Sequence, residues 1–301
     1  MLVAGVAISH PERVIYPDPP LTKLDIARYY AAIGDWIVPH VAGRPLTLVH
    51  CPRGLAAPCA YMRHTRVWGP AVLRRVRIRE QTKVGEYLVA DDRRAVVGLA
   101  QMGVLEIHTW NATDDDIERP NRIIWDLDPG ERVRWAQVVS AARAVRDVLA
   151  ALGLQTWVKT TGGRGVHVVM PIVRHRDWSE CLTFARNIAR AIERSDPSRY
   201  TTAFAKRGRE AKILIDYLRN NRTNTSVAAF STRARPGACV SMPVAWRELT
   251  PRLQPAAFTV VSVPARLRRR RVDPWRDYWT CRQRISAAID RAVAQLALTS
   301  T

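Results

Sequence analysis

The chain has 301 residues, 47% apolar and 25% charged, which bounds it to one or two domains with a self-sufficient core and argues against intrinsic disorder. Its 47 Lys and Arg against 27 Asp and Glu leave a net charge of +20, a field that draws in polyanions, nucleic acid first and an anionic membrane surface second. No run of about 18 apolar residues exists to form a spanning helix, and Met1 to His10 lacks the basic head and apolar stretch of a signal peptide. A cytoplasmic location follows as the expectation. Five cysteines, at 51, 59, 181, 239 and 281, include no Cys-x-x-Cys pair, so a zinc site of the usual spacing is not encoded and five reduced thiols are expected.

Along the chain, residues 1–118 are irregular and are expected to form an N-terminal αβ lobe. Thr22-x-x-Asp25 reads as a capping box opening a helix through about Ile37. Residues 72–79 alternate, with Val76 and Ile78 on one face and Arg75, Arg77 and Arg79 on the other, which predicts a half-buried strand. Residues 104–110 predict another. The acidic run Asp114 to Asp116 has no strand to fix it and reads as a solvated loop.

From residue 119 to 220 the pattern is more regular. Arg122 to Leu127 predicts a strand ending at Asp-Leu-Asp-Pro-Gly. Apolar residues at 138, 139, 142, 145, 148, 149 and 152 form a helical stripe over 135–152, stopped by Gly153. Strands follow at 155–160 and 166–172, joined by a turn carrying Gly162, Gly163 and Gly165. Asp177 with Glu180 opens a second helix to about Glu193, and residues 211–218 close the unit as a strand. The order β-α-β-β-α-β is the ferredoxin-like or RRM-like unit. The expected fold is therefore α/β (α+β), one 301-residue domain with a ferredoxin-like or RRM-like core at 119–220. The completing segment, 221–301, is expected to include a basic C-terminal helix.

Asp126 and Asp128, two apart on a strand end, point to the same side. In the strand order 4-1-3-2, Asp216 would lie on a neighbouring strand and the three carboxylates would converge. Hard divalent cations prefer such oxygens, and a pair of ions ~3.5–4 Å apart can clamp both oxygens of a phosphoryl transfer. His167 would lie on the other neighbouring strand, just after Thr160-Thr161-Gly-Gly-Arg164-Gly165, a turn whose N–H groups, hydroxyls and guanidinium suit a triphosphate. Taken singly, an Asp-Pro-Gly is more often a turn and a glycine pair more often a hairpin; their joint placement in a basic chain favours the catalytic reading.

The segments Asp126-Leu-Asp-Pro-Gly, Lys159-Thr-Thr-Gly-Gly-Arg-Gly-Val-His167 and Ile215-Asp-Tyr-Leu-Arg-Asn220 resemble the polymerase domain of bacterial ATP-dependent DNA ligase D, a branch of the archaeo-eukaryotic primase superfamily. The resemblance runs from His10-Pro-Glu-Arg13 to Asp273-Pro-Trp275. It implies that Asp126, Asp128 and Asp216 bind two Mn2+ or Mg2+ ions. It further implies that Arg53, His108, Thr161, Arg164, His167 and Arg233 hold the incoming nucleotide, and that Arg13 and Lys23 grip a 5′-phosphate at a gap or break. Thr161 stands where the family often has Ser, and Arg164 and Arg13 where Lys is frequent. Arg and Lys are not equivalent at phosphates.

The implied function is template-directed nucleotide addition that fills short gaps in non-homologous end joining, with ribonucleotides tolerated. The implied setting is a bacterial cytoplasm, near the nucleoid. DNA ends, nucleoside triphosphates, a Ku-type end-binding protein and a DNA ligase are the partners expected, and a membrane is not. No Lys-x-Asp-Gly ligase signature occurs, so the sequence reads as a stand-alone polymerase or one domain of a larger protein. A primase starting chains de novo, a two-metal nuclease on the same carboxylates and a non-catalytic RRM-like binder are the alternatives. The run Arg266, Arg268 to Arg271 reads as a solvated face or tether, with weak DNA contact as the sharper option.

Overall fold

The computed structural model describes residues 1–64, 70–205 and 207–298. Its backbone forms two compact units. The first comprises Met1–Asp115, Thr225–Met242 and Pro255–Arg271; the second comprises Asp116–Asn224, Pro243–Gln254 and the residues from Val272 onward.

In the first unit, β1 (Leu2–Val3) pairs with β2 (Val6–Ala7), and β3 (Val14–Pro17) with β4 (Pro20–Thr22). Thr22 and Asp25 cap each other's backbone N–H groups at the start of α1 (Lys23–Ala32), as the sequence predicts. The helix stops earlier than Ile37. Ile33 leaves helical geometry and α2 (Gly34–Val41) starts afresh. Glycine at 34 favours the break: it is a weak helix former, and a Cβ there would meet the Arg93 side chain at 2.6 Å.

The chain continues through β5 (Leu46–His50), β6 (Ala60–Met62), β7 (Arg74–Arg79), β8 (Val84–Val89), α3 (Arg93–Gln101) and β9 (Val104–Thr109). On β7, Ile78 is buried while Arg75, Arg77 and Arg79 are exposed, the alternation expected. The β5–β6 register ends at His50 opposite Ala60, so Cys51 and Cys59 face each other beyond it, with Cα atoms 4.4 Å apart. They form a disulfide, which corrects the expectation of five thiols; Cys181, Cys239 and Cys281 are free. The Asp114 run is a loop, but Asp114 is no mere solvated charge: its N–H donates to Gly43 and its carboxylate pairs with Arg74.

The second unit opens with β10 (Arg122–Pro129), α4 (Trp135–Ala151), β11 (Trp157–Thr160), β12 (Val166–Pro171), α5 (Trp178–Ser195), β13 (Tyr200–Thr201) and β14 (Ile213–Asp216). Asp177 and Glu180 cap α5 reciprocally. The predicted stripe of α4 is its buried face: Val138, Val139, Ala142, Val145 and Leu149. Phe184, Ile188 and Ile192 do the same on α5, and Trp125 of β10 meets Phe184 edge to face.

After residue 224 the chain serves the two units alternately. β15 (Ser226–Val227) adds to β9, giving the first unit a sheet of order β15-β9-β5-β6. β16 (Pro243–Val244) adds to β11, giving the second unit the order β13-β14-β10-β12-β11-β16. Its inner four strands are the 4-1-3-2 arrangement expected of the β-α-β-β-α-β unit. α6 (Ser262–Arg269) belongs to the first unit and carries most of the arginine run; α7 (Ala287–Leu296) belongs to the second, where its Asp290 pairs with Arg176. All nine described tryptophans are buried or partly buried; Trp68 lies outside the described residues. Among the described residues no helix is long and apolar enough to cross a membrane.

Candidate active site

The centre of the second unit's sheet gathers its charged residues by register. Asp126 lies directly opposite His167 on β12 and, on its other side, directly opposite Asp216 on β14. Asp128, two residues on, is opposite Leu214. Strand alternation thus puts the three carboxylates on one face of the sheet, toward the same end.

Each carboxylate has a different setting. Asp126 Oδ1 is 3.3 Å from His167 Nε2, and its Oδ2 is 3.1 Å from Arg219 Nε. Arg219 Nε also lies 3.1 Å from Asp216 Oδ2, while Leu218 N–H donates to Asp216 Oδ1 at 2.8 Å. Asp128 is the exposed member and accepts from Arg209 at 3.2 Å. Burial alone would raise the pKa of Asp126, but His167, Arg219 and Lys159 outweigh it and hold the carboxyl well below the usual range. Asp216 goes the other way, pushed up to about 6 by burial, with Asp126 and Asp128 adding to the rise against Arg219. His167 is lowered to about 4 by burial and by Lys159, so near neutral pH its ring is uncharged and donates Nε2–H to Asp126.

Sequence reasoning missed the residues that hold this group in place. Asn220 is buried on the short turn that follows β14, and its side chain bonds the backbone of β10. Its Oδ1 accepts from Ile124 N–H at 2.8 Å and its Nδ2 donates to Ile124 C=O at 2.7 Å. Arg219 follows Asp216 by three residues on the same short turn, and Lys159, buried on β11, sits opposite His167. All three stand inside the segments that carry the family resemblance, which was the available signal.

The glycine turn packs against the same end of β10. An ideal Cβ on Gly165 would lie 2.3 Å from Leu127 O, so only glycine permits the approach. Thr161 closes the turn: its hydroxyl donates to Gly165 C=O at 3.1 Å and accepts from Gly163 N–H at 3.3 Å. Arg164 reaches back over the turn after β10, donating to the carbonyls of Gly130, Glu131 and Val133 at 2.9–3.1 Å. The predicted turn residues are therefore brought beside the carboxylates, with Arg164 engaged by backbone oxygens.

Among the described residues no three His, Cys, Asp or Glu side chains are drawn together as a ligand set. The reason lies in the ion pairs: Arg219 spans Asp126 and Asp216, and Asp128 turns to Arg209. The donor set nevertheless fits a hard divalent cation. It offers carboxylate oxygens from adjacent strands, the donor type such ions take, and the pKa of Asp216 is raised first by burial and then by Asp126 and Asp128.

The first unit carries two further groups. Glu106 and His108, two apart on β9, share a face: Glu106 Oε2 is 2.8 Å from His108 Nε2, and its Oε1 is 3.0 Å from Arg233 Nε and accepts from Ala234 N–H at 2.9 Å. Burial would raise the pKa of Glu106, but His108 and Arg233 bring it down to about 2. The second group is Arg13 with Lys23. The β3–β4 hairpin brings them together, Lys23 N–H donating to Arg13 C=O at 2.8 Å. Lys23 is buried, its Nζ 3.3 Å from Ser9 Oγ, and burial together with Arg13 lowers its pKa. Arg13 donates to Pro52 C=O at 2.8 Å, which joins it to the disulfide-closed loop bearing the exposed Arg53.

Comparison with known proteins agrees with this architecture. Residues 22–275 match the family model described as LigD, primase-polymerase domain. The chain is 38% identical over 297 residues to the multifunctional non-homologous end joining protein LigD of Pseudomonas aeruginosa, covering 97% of this chain and 35% of that protein. It is 31% identical over 259 residues to the protein of the same name from Mycolicibacterium smegmatis, covering 85% of this chain and 34% of that one. The chain thus spans about a third of the length of these relatives. It also superposes on the polymerase domain from Mycobacterium tuberculosis ligase D, solved in complex with DNA, with a TM-score of 0.82, 29% identity, and coverage of 88% of this chain and 94% of that one. The chain belongs to the LigD primase-polymerase domain family, nucleotidyltransferases of the primase superfamily.

Proposed function

We propose that this chain adds nucleotides to a 3′-hydroxyl under template direction, filling short gaps at DNA breaks. The observation that carries the reading is the registered row His167, Asp126, Asp216 across three strands, with Asp128 beside it. Asp126, Asp128 and Asp216 would hold Mn2+ or Mg2+, which when bound supplies positive charge for the attacking hydroxyl and the triphosphate.

The remaining work falls to the chain's own groups. His167, neutral and buried, orients Asp126 by donating to it. Arg219, now across the Asp126 and Asp216 carboxylates, is a cation available to phosphate once they are otherwise neutralised. Arg164, Thr161 and the N–H groups of the glycine turn bind phosphate oxygens. On the first unit, Arg233 and His108, fixed by Glu106, and the exposed Arg53 bind the nucleotide. Arg13 and Lys23 are neighbouring cations that make no ion pair among the described residues, and each lowers the cost of holding a dianionic 5′-phosphate there.

Non-homologous end joining is the process named for the relatives, and we extend it to this chain with a DNA ligase and a Ku-type protein as partners. Primer extension across a gap, with and without a downstream 5′-phosphate, tests the reading. Template-dependent extension that weakens without the phosphate supports it; shortening of the labelled strand would replace it with a nuclease.

A further inference from the structure

One charged feature plays no part in the site above. Residues 255–271 contain five arginines, Arg266 and Arg268 to Arg271, and no acid. The inner face of α6 is buried through Val263 and Leu267, and Arg266 stacks on the Phe258 ring at 5.2 Å. Arg268, Arg269 and Arg271 are exposed, and none of the three makes an ion pair among the described residues. Cations at a helix C-terminus are favoured by the helix dipole, but that accounts for one or two such charges, not for three exposed ones that make no ion pair among the described residues. Such a run suits a polyanion.

The helix is tied to the hairpin that bears Arg13 and Lys23. Gly237 N–H donates to Asp18 C=O at 3.2 Å, and Val260 N–H donates to Ala238 C=O at 3.0 Å, just before α6. Followed along the backbone, Arg13 and Arg268 lie within about 45 Å of each other, roughly 13 base pairs of duplex.

We propose that Arg268, Arg269 and Arg271 form a second DNA contact, binding backbone phosphates of the duplex downstream of the gap. This rests on the reading of Arg13 and Lys23 as the 5′-phosphate grip. The contact is to phosphates, so it is indifferent to sequence and strongly salt-dependent.

The test is binding of the full chain to gapped DNA with a downstream arm of about 5 or about 20 base pairs, each with and without the 5′-phosphate. The wild type is compared with the triple variant Arg268→Ala, Arg269→Ala, Arg271→Ala and with the corresponding triple Lys variant. Lengthening the arm should tighten wild-type binding about 10-fold or more at low salt. The Ala variant should lose that gain, and its salt slope should fall by about 2–3. The Lys variant should keep the gain, and extension of a primer lacking any downstream strand should be unchanged in both.

An Ala variant that keeps the arm-length gain, with the 5′-phosphate preference intact, overturns the arginine contact alone. An equal arginine-dependent gain from a single-stranded arm overturns the duplex assignment. Absence of any 5′-phosphate preference in the wild type instead overturns the gap-end reading, and the placement of this contact with it.

Discussion

Asp126 and Asp216 stand directly opposite each other on antiparallel strands, and one arginine nitrogen, Arg219 Nε, lies 3.1 Å from a carboxylate oxygen of each. A partly buried and a buried acid in register would repel if nothing lay between them. Here the chain supplies its own cation, three residues past Asp216, and the two acids still titrate far apart.

The sign of that difference is testable. The pKa of Asp216 is raised from 3.8 to about 6, so the folded state holds the proton more tightly than the unfolded chain. Its contribution is most favourable below 3.8 and declines as pH rises through about 6. Full ionisation costs roughly 2–3 kcal/mol. Asp216→Asn should therefore stabilise the metal-free protein by about 1–3 kcal/mol at pH ~8, have little effect near pH ~4, and abolish synthesis. Urea unfolding at the two pH values checks it; an equal effect at both would contradict the assignment.

Glu106 gives the opposite sign. Its pKa falls from 4.5 to about 2, so its stabilisation is complete above 4.5 and is lost as pH drops toward 2. Glu106→Gln should cost on the order of 2–3 kcal/mol at neutral pH, and the deficit should vanish near pH ~2. A variant as stable as the wild type at pH ~7 would show that the bonds to His108, Arg233 and Ala234 do not hold the carboxylate as described.

Asn220 satisfies both backbone groups of Ile124. Asn220→Ala would leave a buried N–H and C=O unmet, a loss of about 2–4 kcal/mol by thermal or chemical unfolding. A change below about 0.5 kcal/mol would mean that water replaces the side chain without penalty.

Gly165→Ala places a methyl 2.3 Å from Leu127 O. The turn must then shift away from β10, at a cost of about 1–3 kcal/mol. If Thr161 and Arg164 bind phosphate as proposed, the same shift should raise the nucleotide KM more than it lowers DNA affinity. Unchanged nucleotide kinetics in a folded variant would remove the turn from the binding role.

Much of the second unit was legible in the sequence because its signals are local and agree with one another. The apolar stripe of α4, the Asp177–Glu180 cap and the two strands flanking the glycine turn each fix one element, and the β-α-β-β-α-β succession they give has a usual strand order, 4-1-3-2, which the sheet adopts. The convergence of Asp126, Asp128, Asp216 and His167 follows from that order. What the sequence hid depends on contacts far apart in the chain or on residues with bland local meaning. Cys51 and Cys59 become partners only once the β5–β6 register is known. The break at Ile33 has no local marker beyond the glycine that follows it. Glu106, Lys159, Arg219 and Asn220 look like ordinary polar residues until burial and register show what each one touches. The alternation of residues 225–298 between two units has no local signature.

The most direct measurement is primer extension on a gapped duplex with a downstream 5′-phosphate and Mn2+, comparing the wild type with Asp126→Ala. The account predicts short, template-dependent extension by the wild type, a loss of about 10³-fold or more in the variant, and DNA binding retained by both. Extension by Asp126→Ala at the wild-type rate would contradict the carboxylate site on which the reading stands.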